Sequence, residues 1–282
     1  MTFEGLGGRP PGPFSLSESP SMTVRLSIEA DLDYYLPEPA DILLQIEAAA
    51  TPEQRLDHQQ LTIWSDFPIA AVAGEDGIGQ RSWVRVAGLL QARYRAEVTI
   101  DRAAVALDNY GATPPRGLPG NVVAYLLPSR YCPSDRLEGF VRRRFAGLEG
   151  GAMASALAHW VQNELTYQGG MSNGTTTALD TFASRTGVCR DYAHLLVSLA
   201  RAAEIPARCV AAYAPGVDPP DFHAVAELWL DGAWRLVDAT GMSTADEIAG
   251  VAVGRDATDI AFMTVFGNAF FQQQRVQVRR LA

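Results

Sequence analysis

Cys189, His223 and Asp238 are the residues whose types and order could carry a covalent reaction; they follow one another at separations of 34 and 15 residues. A thiolate attacks carbonyl carbon, an imidazole takes and returns the proton, and a carboxylate holds that imidazole in one tautomer. Cys189 opens an apolar stretch (Tyr192, Ala193, Leu195, Leu196, Val197, Leu199, Ala200) that Pro206 closes. The pattern predicts a helix from about Cys189 to Glu204, apolar nearly all round and therefore central. A thiol at its first turn faces unpaired backbone N–H groups and the positive end of the helix dipole, both of which favour thiolate. Position alone leaves Cys189 open between a nucleophile and a small buried hydrophobe.

A base decides between them. The chain has four histidines, His58, His159, His194 and His223. His194 falls roughly 140° round the helix from Cys189 and cannot share its face. His159 lies on an earlier helical segment and His58 in the β-rich half. His223 begins a strand after the turn Val217 to Phe222, and Asp238 ends the next strand after the tight turn Asp231-Gly232. The two meet at one end of a hairpin, where the carboxylate is expected to accept Nδ1–H and leave Nε2 for the thiol. An aspartate at a strand end can also cap a turn; the hairpin favours the catalytic role.

Other polar residues have plainer expectations. Asp191 points about 200° from Cys189 and reads as structural. Cys209 alternates within a strand and belongs to the core. Tyr167 reads as a packing residue that could line a cleft or donate to an oxyanion, for which the Cys189 N–H is the better candidate. Asp256 and Asp259 are expected as caps or ion-pair partners, and no metal or cofactor is expected.

The elements that must hold these residues divide the chain. From Thr23 to Asp33 apolar and polar residues alternate, the mark of a half-buried strand, and Pro37 and Pro39 are expected to end it. Ile42 to Ala48, Leu61 to Trp64, Ser82 to Leu90 and Gln91 to Ile100 read as further strands. They predict an antiparallel β-sandwich over 22–110, after a flexible tail over 1–21. A Pro-rich linker (111–125) follows, then a second domain over 126–282. There Ser134 is expected to cap a helix presenting Leu137, Phe140 and Val141. Another helix presents Met153, Leu157, Trp160 and Val161, and Thr177 to Asp180 matches a capping box for a helix that Gly187 ends. Strands return at Arg208 to Tyr213, Ala224 to Leu230, Trp234 to Asp238 and Arg275 to Val278. The fold class expected is α+β.

The bulk numbers bound the rest. At 282 residues and 48% hydrophobic composition the chain can bury a substantial core. Its net charge of −9 disfavours nucleic acid. Three cysteines make no disulfide framework, which suits a reducing, cytoplasmic compartment, and no apolar run is long enough for a membrane helix.

The segment Gly187-Val188-Cys189-Arg190-Asp191-Tyr192-Ala193-His194 resembles the nucleophile motif of bacterial transglutaminase-like proteins. Ile205-Pro206-Ala207-Arg208 resembles the end of that family's core helix. Phe222-His223-Ala224 and Trp234 to Thr240 resemble its histidine and aspartate motifs, and Pro128 to Cys132 and Gly254 to Asp259 its flanking motifs. Val225 and Ala239 stand where the family usually has tryptophan and proline, which bears on the shape of the cleft. The resemblance implies a transglutaminase-like, papain-like core preceded by a β domain. It implies Cys189 as nucleophile, His223 as base and then acid, and Asp238 orienting the imidazole. A protein, a peptide or a small amide is then the expected substrate, hydrolysed or passed to an amine. A non-catalytic binding module on the same fold is the alternative, and the intact triad speaks against it.

Overall fold

The alternation that begins at Val24 continues past the two prolines expected to end it. The computed structural model of the chain describes residues 23–65, 67–103 and 106–282, and the tail expected over 1–21 lies outside the described residues. Strand β1 (Val24–Leu44) pairs antiparallel with β4 (Gln80–Ile100), and a register shift between Leu36 and Ala40 takes up Pro37 and Pro39. A bulge is where a strand tolerates residues that cannot donate to the ladder. β2 (Gln54–Ile63) and β3 (Ala70–Ala73) line the far side of β4. β11 (Met263–Phe266) and β12 (Phe270–Leu281) line the far side of β1. Among the described residues this makes a six-stranded sheet completed by the end of the chain. The break near residue 110 is therefore one of sequence and not of space.

Period two explains the core of this sheet. Leu26, Ile28, Ala30 and Leu32 are at most 1% exposed. Their outward neighbours reach across to β4, as in the 2.7 Å bond from Arg95 to Asp31. Burying each large apolar side chain contributes about 1.5–3 kcal/mol, whereas exposed ion pairs of this kind contribute about 0–1 kcal/mol.

The segment expected as a linker (111–125) contains a short turn, α1 (Gly120–Val123), and after it come α2 (Glu138–Arg144), α3 (Gly150–Glu164), α4 (Ala178–Ser184) and α5 (Cys189–Ala202). Ser134 does not cap α2; it opens a 3-10 turn ahead of it. Leu137 and Val141 are buried, as is the α3 stripe of Met153, Leu157, Trp160 and Val161. The capping box at α4 forms, with Asp180 accepting from the Thr177 N–H at 2.8 Å. That helix ends on Arg185 (φ 58°), not on Gly187. Gly187 instead provides clearance. A Cβ there would lie 2.6 Å from the Asp191 Cβ, so only glycine lets the chain pass this close to the start of α5.

Helix α5 lies against a second sheet of order β10-β7-β8-β9, with β7 (Ala207–Tyr213), β8 (His223–Leu230), β9 (Ala233–Val237) and β10 (Ala249–Gly254). Leu195, Leu196, Val197, Leu199 and Ala200 are all 0% exposed. A smaller cluster including Val210, Val225 and Val253 forms another part of this sheet's packing, so β7 is buried almost throughout. Tyr213, Ala249 and Val251 also join the core of the first sheet. The Tyr213 hydroxyl donates to the Ile46 carbonyl at 2.7 Å, and the Ala49 N–H to Gly250 at 2.9 Å. The two sheets share a core, so the cleft between them has fixed walls.

Candidate active site

Cys189 is the first residue of α5, where a backbone N–H has no intrahelical acceptor. Asp191 closes the N-terminus from inside by accepting the Val188 N–H at 2.8 Å. At 1% exposure it is the structural residue that its angle on the helix predicts. His223 opens β8 and Asp238 directly follows β9. The hairpin register pairs Ala226 with Val237, which carries the two polar residues to the same end.

The structure brings the three together but exchanges the expected ring nitrogens. His223 Nε2 donates to Asp238 Oδ2 at 2.9 Å, with both side chains at most 1% exposed. Nδ1 makes no hydrogen bond and is the nitrogen left for Cys189. The expectation of Nδ1 on the carboxylate was incorrect because residue spacing fixes which groups meet and not the ring's rotamer. The Cys189 thiol contacts the Phe222 carbonyl at 3.9 Å, one residue from the imidazole.

Electrostatics follow from burial and from the partners. Burial acts to lower the His223 pKa, but the bond to Asp238 and the neighbouring Cys189 outweigh it and lift the value to about 9. Asp238 is held below the usual carboxylate value: burial opposes this, and the His223 and Thr240 bonds prevail. Its Oδ1 accepts from the Thr240 N–H (2.9 Å) and hydroxyl (2.7 Å), and its Oδ2 also accepts from the Ser243 N–H (3.1 Å). A carboxylate so held keeps its charge and its direction.

Tyr167 sits on the other flank of the thiol. β5 (Thr166–Tyr167) pairs in parallel with β6 (Thr186–Gly187), which sets Tyr167 opposite Gly187. Burial first, and then the adjoining Cys189, push its phenol up to about 12. Cys189 and His223 open into a cleft of about 550 Å³ between the two sheets, with Ala211, Val251, Phe262 and Met263 on its apolar walls.

The remaining sequence candidates fall outside this constellation. His58 and His159 are exposed. His194 is 1% exposed; its Nε2 accepts the Ala257 N–H at 3.0 Å and its ring stacks on Tyr131 with centroids 5.3 Å apart. Burial, with nearby Arg190, drives its pKa down to about 3. Cys132 and Cys209 are buried beside it, and one ligand atom from each of the three lies within 4.8 Å of the others. With Nε2 accepting from Ala257, Nδ1 must carry the proton, so ligating a metal would break that bond or strip that proton. Asp256 caps α6 (Ala257–Ile260) through Thr258, and Asp259 pairs with Arg255 at 3.0 Å, as expected of each.

His194→Ala is expected to destabilise the fold by about 2–4 kcal/mol, through an unsatisfied N–H and an unfilled cavity. Denaturant midpoints measure it, and an unchanged midpoint contradicts it. Because the folded pKa lies below the unfolded one, wild-type stability falls as pH drops from 6.5 towards about 3. That limb should flatten in the variant.

Sequence reasoning missed Thr240 and Ser243 as the groups that hold Asp238. The Asp-Ala-Thr spacing was the available signal, since an aspartate readily accepts from the N–H two residues on.

Residues 144–239, a span that contains all three candidate residues, match the family model of the Transglutaminase-like superfamily. The chain is similar to a candidate cysteine protease from Cytophaga hutchinsonii known from its crystal structure. Identity is 30%, the TM-score is 0.88, and the match covers 93% of this chain and 92% of that one. A stretch of 145 residues is 30% identical to an uncharacterized protein of Mycobacterium leprae, covering 48% of this chain and about half (52%) of that relative's length. The periplasmic domain of TgpA from Pseudomonas aeruginosa, at 19% identity and a TM-score of 0.42 over 80% of this chain and 91% of that one, is too distant to bear on the site.

Proposed function

The chain belongs to the transglutaminase-like superfamily, and on that premise we propose that it is a cysteine-nucleophile acyl-transfer enzyme acting on amide bonds of a peptide or small amide. The observation that carries this reading is a fully buried histidine bonded through Nε2 to a carboxylate, with its free nitrogen beside a half-buried thiol at a cleft.

In the proposed reaction the Cys189 thiol gives its proton to His223 Nδ1, and the thiolate attacks the carbonyl carbon. The tetrahedral oxyanion accepts from the Cys189 N–H, with the Tyr167 phenol alongside. The imidazolium protonates the leaving amine as the C–N bond breaks, giving an S-acyl enzyme and neutral imidazole. Water or a second amine then attacks the thioester while His223 takes its proton, and protonation of the departing sulfur regenerates the thiol. Asp238 never leaves its charged form; it fixes the ring and stabilises the imidazolium.

Limited iodoacetamide near neutral pH, read by mass spectrometry, tests the nucleophile. Cys189 is expected to be carboxamidomethylated first, because Cys132 and Cys209 are both 0% exposed. Labelling of Cys209 or Cys132 ahead of Cys189 would remove it from this role.

A further inference from the structure

The wall of the cleft beside the nucleophile is built around two guanidiniums. The Arg130 guanidinium carbon lies 4.9 Å from the Tyr131 ring centroid, and that of Arg190 lies 5.7 Å from the same point. Both residues line the cleft that holds Cys189 and His223. Arg190 donates to the Asn173 carbonyl (2.6 Å) and to Asp191 (3.3 Å), yet its Nε is buried without an acceptor. Arg130 is exposed, and among the described residues no carboxylate pairs with it.

The platform under these charges is rigid. Tyr131 donates its hydroxyl to Gly174 at 2.6 Å and its N–H to Asp256 at 3.0 Å. Its ring lies on His194 at an interplanar angle of 5°, and His194 is held in turn by the Ala257 N–H. The segments Pro128 to Cys132 and Gly254 to Asp259, which the triad does not use, thus converge to fix one tyrosine and the arginines around it. The same cleft is lined by Asp221, an acidic group that would repel an anion, next to Phe222, whose ring stacks on Phe262 with centroids 4.6 Å apart.

We infer that this wall recognises an anionic group on the substrate: the acyl donor carries a carboxylate close to its scissile carbonyl, and Arg130, assisted by Arg190, determines that specificity. The inference rests on the proposed role of Cys189. A guanidinium offers a planar pair of donors that matches a carboxylate, and stacking on an aromatic ring orients it before binding. A chain of net charge −9 repels anions at long range, so an acidic donor needs a local cation next to the thiol. Asp221, beside the Phe222–Phe262 pair, sets the direction, with the acid towards Tyr131 and the apolar portion towards Phe262.

A matched pair of peptide chloromethyl ketones, differing only in aspartate against asparagine next to the reactive residue, tests this. The readout is the ratio of second-order rates for alkylation of Cys189, which is internal to each protein and so insensitive to a general loss of reactivity. At low salt the aspartate probe should react about tenfold faster on the full chain, with the advantage shrinking as salt rises. The ratio should fall to near one in Arg130→Gln and below one in Arg130→Glu. A wild-type ratio near one, with Cys189 still the thiol that iodoacetamide labels first, overturns this inference and leaves the nucleophile in place. So does a ratio that stays high in both variants. Probes that alkylate Cys132 or Cys209 and spare Cys189 overturn the nucleophile and this inference together.

Discussion

His223→Ala is expected to slow acylation of Cys189 by an activated ester about 10³-fold. Every proton transfer in the proposed cycle passes through this imidazole, and no other histidine lines the cleft among the described residues. His194 has its Nε2 committed to Ala257, and His58 and His159 are exposed elsewhere. The variant also strands a buried carboxylate, so its melting temperature should fall, and rates must be compared where circular dichroism shows it folded. In that range a loss under tenfold would mean that Cys189 works without His223.

Asp238→Asn is the second large effect, an expected loss of about 10²–10⁴-fold in acylation at unchanged substrate binding. The amide keeps the shape but removes the charge that opposes burial in setting the His223 pKa of about 9. Once burial is unopposed by that charge, the imidazole should titrate well below about 9, which histidine NMR reads directly. The stability profile gives an independent reading. A histidine whose folded pKa exceeds the unfolded 6.5 contributes stability that is complete below 6.5 and lost as pH rises through about 9. Asp238, whose folded pKa is lowered from 3.8, contributes stability that is lost as pH falls through the acid range. The wild-type pair should therefore be most stabilising between those limits, and the asparagine variant should lack the alkaline limb. A turn-capping Asp238 predicts instead normal acylation, an unmoved imidazole and only a lower melting temperature.

Much of the site was legible because it is held by local, strongly patterned elements. The apolar α5, the Asp231-Gly232 turn and the capping box at Thr177 each carry their signal within a few residues, and together they place a thiol, an imidazole and a carboxylate. The orientation of the imidazole was not legible, since either ring nitrogen satisfies the same spacing. The course of β1 was misread at Pro37 and Pro39, and β4 was divided between Leu90 and Gln91, because a long antiparallel pair can absorb an irregularity that only the partner strand defines. β3 and β11 are four residues each, and β10 is six, too short for a period to register. β12 was legible only at Arg275 to Val278, because the rest of it is rich in glutamine and arginine and its partner lies at the other end of the chain. The Arg130 wall was invisible for a related reason: it joins residues near 130, 190 and 256 that no single motif spans.

The proposed chemistry stands or falls on an S-acyl intermediate at Cys189, which intact-protein mass seconds after mixing with p-nitrophenyl acetate would detect. The chain contains no lysine, every one of its 23 basic residues being arginine, so acetylation of side-chain amines cannot obscure the result. One acetyl group is expected, mapped to Cys189 after acid quench, released by hydroxylamine and absent when Cys189 is replaced by alanine. An acetyl group that forms as fast in Cys189→Ala, or that maps to Cys132 or Cys209 in the wild type, would contradict it.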